Sequence, residues 1–97
     1  MYSVSDIKTK VVPIFIKHNV KKAVLFGSYA KNTATEKSDI DICVDSGLKG
    51  LRFFGLLEDI CTSVDCPVDL IDIADIDLGS RIDREIKSAG VVIYERT

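Results

Sequence analysis

Residues 24–45 read VLFGSYAKNTATEKSDIDICVD, with an apolar run at each end and a polar loop between them. The first run begins one residue earlier, and Ala23 to Phe26 predict a buried strand because no polar residue interrupts them. Gly27 and Ser28 end that strand. After the loop, residues 38–44 alternate polar and apolar, which is the period of a second strand with one buried face.

Asp39 and Asp41 are two positions apart in the second strand pattern, so we expect both carboxylates to point to the same face. Two like charges about 4 Å apart repel by about 4 kcal/mol at an effective dielectric constant of about 20. A hard divalent cation removes that repulsion, and Mg²⁺ is typically held by carboxylates together with substrate phosphates. The pair therefore predicts a magnesium site.

Gly27 and Ser28 directly follow the first strand, where backbone N–H groups can face an anion. Glycine allows close approach of the backbone to a ligand, and the serine hydroxyl adds a donor. Each feature alone is most often an ordinary solvated turn. An anion-binding loop beside a carboxylate pair is, however, the arrangement that metal-assisted phosphoryl or nucleotidyl transfer needs.

Gly27-Ser28, ten residues and then Asp39-x-Asp41 resemble the signature of the polymerase-β-type nucleotidyltransferase superfamily. The short chain resembles its minimal nucleotidyltransferase (MNT) branch, the antitoxin partners of HEPN-domain toxins. The most specific matches are residues 25–31 and 38–41. One position departs from the family pattern, since Asn32 stands where glycine is usual. Asparagine tolerates left-handed backbone, so we expect the turn to form, while its fit to phosphate stays open.

The resemblance implies an antitoxin of a type VII-like toxin–antitoxin pair that transfers AMP from ATP to a hydroxyl group, a tyrosine, of a HEPN toxin. It implies that Gly27 and Ser28 bind the nucleotide's phosphates and that Asp39 and Asp41 hold two Mg²⁺ ions. Asp69 would complete the shell of the catalytic ion and draw the proton from the acceptor. A chain of 97 residues leaves no room for an acceptor-binding domain, so a hetero-oligomer with the toxin is expected.

The residues around Asp69 also favour it as the third metal-binding carboxylate. Transfer chemistry with two metal ions needs several carboxylates, and residues 68–73 form a strand pattern with two of them. Asp69 and Asp72 are three apart and therefore face opposite sides of a regular strand. Asp69 is preferred because Val68 and Leu70 flank it within the strand, whereas Asp72 lies near the end.

The remaining chain predicts helices at residues 3–18, 48–63 and 79–89, a short helical turn at 29–34 and a last strand at 91–94. Ser3 and Asp6 form a capping box, and Pro13 predicts a kink or a break. Together these elements predict a small α/β (α+β) domain spanning 1–97, with helices mainly on one face of a mixed sheet. The inner side of the second helix is predicted to carry Leu48, Leu51, Phe54 or Phe53, Leu57, Ile60 and Cys61.

Composition excludes several classes of function. The net charge is −2 with no strongly basic stretch, so binding to nucleic acid through its phosphates is not favoured. No segment reaches the length of a membrane span, and the amino terminus lacks a signal-peptide layout, so a cytoplasmic location is expected. The three cysteines lack metal-ligand spacing and are expected to be buried or partly buried thiols.

Two alternatives to an enzyme stay open. The chain can neutralise a partner by covering it, with weak or no catalysis, or it can be a regulatory module that senses nucleotide. The altered loop at Asn32 favours the first alternative, and the set of three aspartates disfavours it. The roles of Lys31, Arg81 and Arg84 are also open, with a solvated lysine favoured over a phosphate contact for Lys31.

Overall fold

The computed structural model describes residues 1–97, which form the mixed α/β fold that the sequence predicts. Its elements are α1 (Val4–Lys17), β1 (Lys22–Phe26), α2 (Gly27–Ala30), β2 (Ile40–Asp45), α3 (Leu51–Ser63), β3 (Val68–Asp72), a 3-10 turn (Ile73–Asp75), α4 (Arg81–Ala89) and β4 (Val91–Glu95). The sheet order is β3-β2-β1-β4, with β2 and β3 parallel and the other neighbours antiparallel. None of the helices combines the length and the apolar character needed to cross a membrane.

The first helix begins with the predicted capping box. The Ser3 hydroxyl accepts a hydrogen bond from the Asp6 amide at 3.0 Å, and the Asp6 carboxylate accepts one from the Ser3 amide at 3.0 Å. The predicted break at Pro13 is wrong, because α1 continues through it to Lys17. Pro13 lies on the exposed side of the helix, where water can bond the carbonyl group that the missing N–H leaves unpaired.

The core lies between one face of the sheet and the helices α1 and α3. Leu25 of β1 and Ile42 of β2 are fully buried there, together with Phe15 of α1 and Ile60 of α3. Because side chains alternate along a strand, the neighbours of Leu25 and Ile42 point to the other face of the sheet.

The buried side of α3 agrees with the prediction at Ile60 and Phe53 and differs from it at three exposed positions, Leu51, Phe54 and Cys61. Leu51 is 89% exposed and Phe54 is 59% exposed, whereas Leu56 and Ile60 are fully buried. Residues 51–57 are apolar around most of the helix, so their spacing cannot choose one side. The i, i+4 pair of Leu56 and Ile60 is buried because it is the side that α3 turns toward the core.

The second face of the sheet is covered by α4. Ser80 caps the start of this helix by accepting a hydrogen bond from the Asp83 amide at 3.2 Å, and Gly90 ends it. A Cβ atom on Gly90 would lie 2.7 Å from the Cγ1 atom of Val24, so the end of α4 packs directly on β1. This is the face toward which Asp41 and Cys43 of β2 point.

Asp72, at the end of β3, is a structural residue. It is 7% exposed, and its carboxylate accepts hydrogen bonds from the hydroxyl and the amide of Ser46, which follows β2. It also accepts one from the Ala74 amide at 3.0 Å, which caps the 3-10 turn. One buried carboxylate therefore joins the ends of two parallel strands.

Replacing Asp72 tests this role. We expect Asp72→Ala to lower the free energy of unfolding by about 2–3 kcal/mol, because it leaves buried donors without an acceptor. Asp75→Ala, at an exposed position in the same turn, is the matched control and should cost about 0.5 kcal/mol or less. Urea unfolding followed by circular dichroism measures both, and equal midpoints for the two variants would contradict the assignment.

Candidate active site

Gly27 brings the loop after β1 against the side chain of Asp41. Its φ angle is +73°, a left-handed conformation that favours glycine. A Cβ atom at this position would lie 3.1 Å from Asp41 Cγ and would overlap the Asp41 carboxylate oxygen. Glycine is therefore required twice, by the backbone angle and by the space next to the carboxylate.

Backbone hydrogen bonds within the loop after β1 stabilise its turn. The Lys31 amide donates to the Gly27 carbonyl at 3.1 Å, and the Thr33 amide donates to the Ser28 carbonyl at 2.9 Å. Asn32 has a φ angle of +59°, so the expected left-handed turn forms without glycine. The helical turn starts two residues earlier than predicted, because α2 includes Gly27 and Ser28 themselves.

Asp41 and Asp69 lie directly opposite each other in the parallel pair of β2 and β3. Paired residues on neighbouring strands, about 4.8 Å apart, point to the same face of a sheet. Asp41 is half-buried and Asp69 is exposed. Asp39 is exposed and precedes β2, since the strand begins at Ile40 rather than at the predicted Ser38. The structure thus brings the three predicted carboxylates to one end of the sheet.

The electrostatics of Asp41 reflect this grouping. Burial and the negative charges of Asp69 and Asp39 raise the pKa of the Asp41 carboxyl from about 3.8 to about 6. The charge of Glu85 and a hydrogen bond with Asp69 raise the pKa of Asp41 further. The carboxylates therefore repel one another, as the sequence predicts.

A fourth carboxylate, Glu85 of α4, is a part of the site that the sequence reasoning missed. Its charge also raises the pKa of Asp41, and its Oε1 atom lies 3.0 Å from the Nζ atom of Lys31. Lys31 is therefore ion-paired as well as exposed, a contact that the sequence did not predict. Glu85 lies within a mixed-charge helical face, a pattern that gives no signal for a site.

The donors at this site fit a hard divalent cation by their chemistry, since all are carboxylate oxygens that repel one another. The structure contains no group of three or more His, Cys, Asp or Glu side chains arranged to hold a metal ion. The fit consequently rests on the type of donor and on the raised pKa of Asp41, not on a preformed coordination shell.

Two nearby residues are not part of this grouping. The carboxylate of Asp72 is already bonded to Ser46 and Ala74. Cys43 lies on the same face as Asp41, but burial raises the pKa of its thiol to about 11, so the thiolate that would act as a ligand is disfavoured.

A cleft of about 680 Å³ lies between the end of β3 and the first turns of α4, on the side of the site where Glu85 stands. Its walls include Ile71 of β3, two residues beyond Asp69, and Arg81 and Glu85 of α4. Its volume falls within the range of about 300–1,000 Å³ that small-molecule sites occupy. Of the grouped carboxylates, Glu85 lines this cleft, whereas Asp39, Asp41 and Asp69 do not.

Comparisons with known proteins agree with this geometry. A family model described as "Polymerase beta, Nucleotidyltransferase" matches residues 9–97. A curated Methanocaldococcus jannaschii protein described as a "Putative protein adenylyltransferase" is 53% identical over 45 residues, covering 46% of this chain and 48% of that protein. A second from the same organism, with the same description, is 44% identical over 57 residues, covering 57% and 58%. The matches thus span about half the length of these relatives.

Solved structures share the fold. A crystal structure of a toxin–antitoxin with AMP-PNP has a TM-score of 0.77 at 22% identity, covering 92% of this chain and 73% of that one. A tri-AMPylated Shewanella oneidensis HEPN toxin in complex with MNT antitoxin gives 0.71 at 20% identity, covering 96% and 73%. At this identity the likeness concerns the fold alone.

The contact between Gly27 and Asp41 can be tested by stability. Gly27→Ala should cost more than Gly79→Ala, because both positions have positive φ but only Gly27 lacks space for a Cβ atom. We expect Gly79→Ala, the control, to lower the free energy of unfolding by about 1–2 kcal/mol, and Gly27→Ala to lower it by about 1–3 kcal/mol more. In an Asp41→Ala background, the additional destabilisation caused by Gly27→Ala should disappear. Urea unfolding measures all four variants, and equal costs at the two glycines would refute the close contact.

The raised pKa of Asp41 predicts a pH-dependent stability. Between about pH 4 and pH 6 the folded state holds a proton that the unfolded state has lost, so the free energy of unfolding falls as pH rises. Asp41→Asn removes this effect. It should be more stable than the wild type by about 1–2 kcal/mol at pH 8, allowing for solvent screening, and equally stable near pH 4.

The measurement is urea unfolding of both proteins at the two pH values in a buffer containing a metal chelator. Asp75→Asn, which removes a carboxylate outside the group, is the control. A stability difference between Asp41→Asn and the wild type that is the same at both pH values would show that the two states bind protons equally.

Proposed function

The chain belongs to the polymerase beta nucleotidyltransferase family, and on that premise we propose that it transfers AMP from ATP to a hydroxyl group of a partner protein. The observation that carries the proposal is the pairing of Asp41 with Asp69 beside Gly27, with the raised pKa that this grouping produces. The description of the curated relatives as adenylyltransferases supports the choice of AMP as the transferred group.

In this proposal the loop that starts α2 binds the nucleotide. The backbone N–H groups of Gly27 and Ser28 and the Ser28 hydroxyl would donate hydrogen bonds to phosphate oxygens. Asp39, Asp41 and Asp69 would hold Mg²⁺, with two ions expected. When bound, Mg²⁺ would neutralise the carboxylates and the phosphates and stabilise the charge that develops during transfer.

The reaction is a displacement at the α-phosphorus of ATP. An oxygen of the acceptor hydroxyl forms a bond to that phosphorus, the bond to the β-phosphate oxygen breaks, and pyrophosphate leaves. Asp69, whose side chain is exposed beside Asp41, accepts the proton of the acceptor hydroxyl. Asp41, being half-buried, keeps a fixed position against Gly27 and orients the site.

The proposed acceptor is a tyrosine of a HEPN-domain toxin, with this chain acting as the antitoxin. Two observations support this partner. Neighbours in fold include antitoxins in toxin–antitoxin complexes. Asp39 and Asp69 are exposed, so a hydroxyl group on the surface of another protein can reach them.

The test is a transfer assay with the protein, Mg²⁺, ATP and the candidate toxin, read by the intact mass of the toxin. We expect a mass gain equal to one or more AMP groups and the release of pyrophosphate. The double variant Asp39→Asn, Asp41→Asn should lose at least about 10²-fold in rate, since it removes the charges that bind the metal.

A variant that removes two carboxylates elsewhere, Glu58→Gln with Glu95→Gln, is the matched control and should keep the wild-type rate. Omission of Mg²⁺ should abolish transfer by the wild type. Tight binding of the toxin with no mass gain would reject the enzymatic proposal in favour of neutralisation by binding alone.

A further inference from the structure

Lys31 links the loop of the candidate active site to the helix across it. The residue directly follows α2, and its Nζ atom lies 3.0 Å from Oε1 of Glu85 in α4. The lysine side chain is 47% exposed and the glutamate side chain is 24% exposed. The ion pair therefore joins the segment that carries Gly27 and Ser28 to the wall of the cleft.

Glu85 interacts with Lys31 on one side and with Asp41 on the other. Its charge reaches Asp41, where it adds to the effects of Asp69 and Asp39. Arg81 lies one helical turn before Glu85, lines the same cleft and makes no ion pair. Glu85 thus has one cation in contact and a second one within reach along the same helix face.

The Lys31–Glu85 pair is weak enough to exchange. Ion pairs between exposed side chains contribute about 0.2–1 kcal/mol. A triphosphate carries several negative charges and makes charge-assisted hydrogen bonds, so it attracts a lysine more strongly than a single partly solvated carboxylate does. A nucleotide held by the neighbouring loop would compete with Glu85 for the same ammonium group.

We propose that Glu85 is a positioning residue that holds Lys31 beside the loop when no nucleotide is bound and releases it to the phosphates when a nucleoside triphosphate binds. The inference rests on the proposed function, because it requires a nucleotide at Gly27 and Ser28. After release, Arg81 neutralises Glu85 and prevents a bare carboxylate from facing the phosphates. The competition sets the nucleotide affinity below the value that Lys31 alone would give.

The test measures the binding of AMP-PNP, a non-hydrolysable ATP analogue, with Mg²⁺ by titration calorimetry. Four proteins are compared: the wild type, Glu85→Gln, Lys31→Met and the double variant. We expect Glu85→Gln to lower the Kd about threefold and Lys31→Met to raise it about fivefold. In the Lys31→Met background, Glu85→Gln should lose most of its effect, because no lysine remains to be released.

A second ion pair on α4 provides the control. Lys87→Met breaks the contact between Lys87 and Asp83, which are 3.1 Å apart, and should leave the Kd unchanged. If Glu85→Gln tightens binding equally with and without Lys31, the glutamate acts only through its charge at a distance, and the proposal is overturned. If the variants lower the urea midpoint and leave the Kd unchanged, the pair is only a structural tie, and the proposal is overturned as well.

Failure of the proposed function gives a different result. In that case the wild type binds no AMP-PNP, and the four Kd values cannot be compared. Binding by the wild type without an effect at Glu85 rejects the exchange of Lys31 and leaves the nucleotide site in place. The two failures are therefore distinguished by the wild-type titration alone.

Discussion

Two carboxylates, those of Asp41 and Asp69, face each other across a parallel strand pair, and the rest of the structure holds them there against their repulsion. The register is fixed from the opposite face, where Ile42 is fully buried in the core. A slip of one residue would expose that side chain and bury the acid. The bonds from Asp72 to Ser46 fix the far ends of the same two strands. The site is therefore set by packing and hydrogen bonds that lie outside it.

The site lowers the stability of the fold, and this destabilisation arises at a few residues. Gly27 adopts a left-handed conformation in contact with a carboxylate, and Asp41 is half-buried among like charges. Neither feature improves the folded state. Both bring the loop after β1 to within contact distance of acidic oxygens, which is the arrangement that a phosphate and a cation together would stabilise. An unfavourable local arrangement of this kind is typical of functional sites.

The sequence predicted the parts of the fold that depend on short-range rules. Strand alternation placed Asp41 on the face of β2 opposite the core, and the rule that residues three apart face opposite sides separated Asp69 from Asp72. The sequence-based prediction failed for features that tertiary contacts determine. The buried side of α3 depends on which face meets the core, and Pro13 is tolerated because it points to solvent. Glu85 gave no signal, because only the fold brings α4 over the carboxylates of β2.

The balance of charge at the site constrains how any nucleotide can bind. Asp39, Asp41, Asp69 and Glu85 supply four negative charges, and one lysine is in contact with the group. A triphosphate adds further negative charge, so backbone donors in the loop cannot hold it by themselves against this field. If the proposed function holds, nucleotide and divalent cations bind together, and each raises the affinity for the other by the same factor. In the proposed exchange, Lys31 leaves Glu85 for a phosphate, and the net charge of the site stays the same.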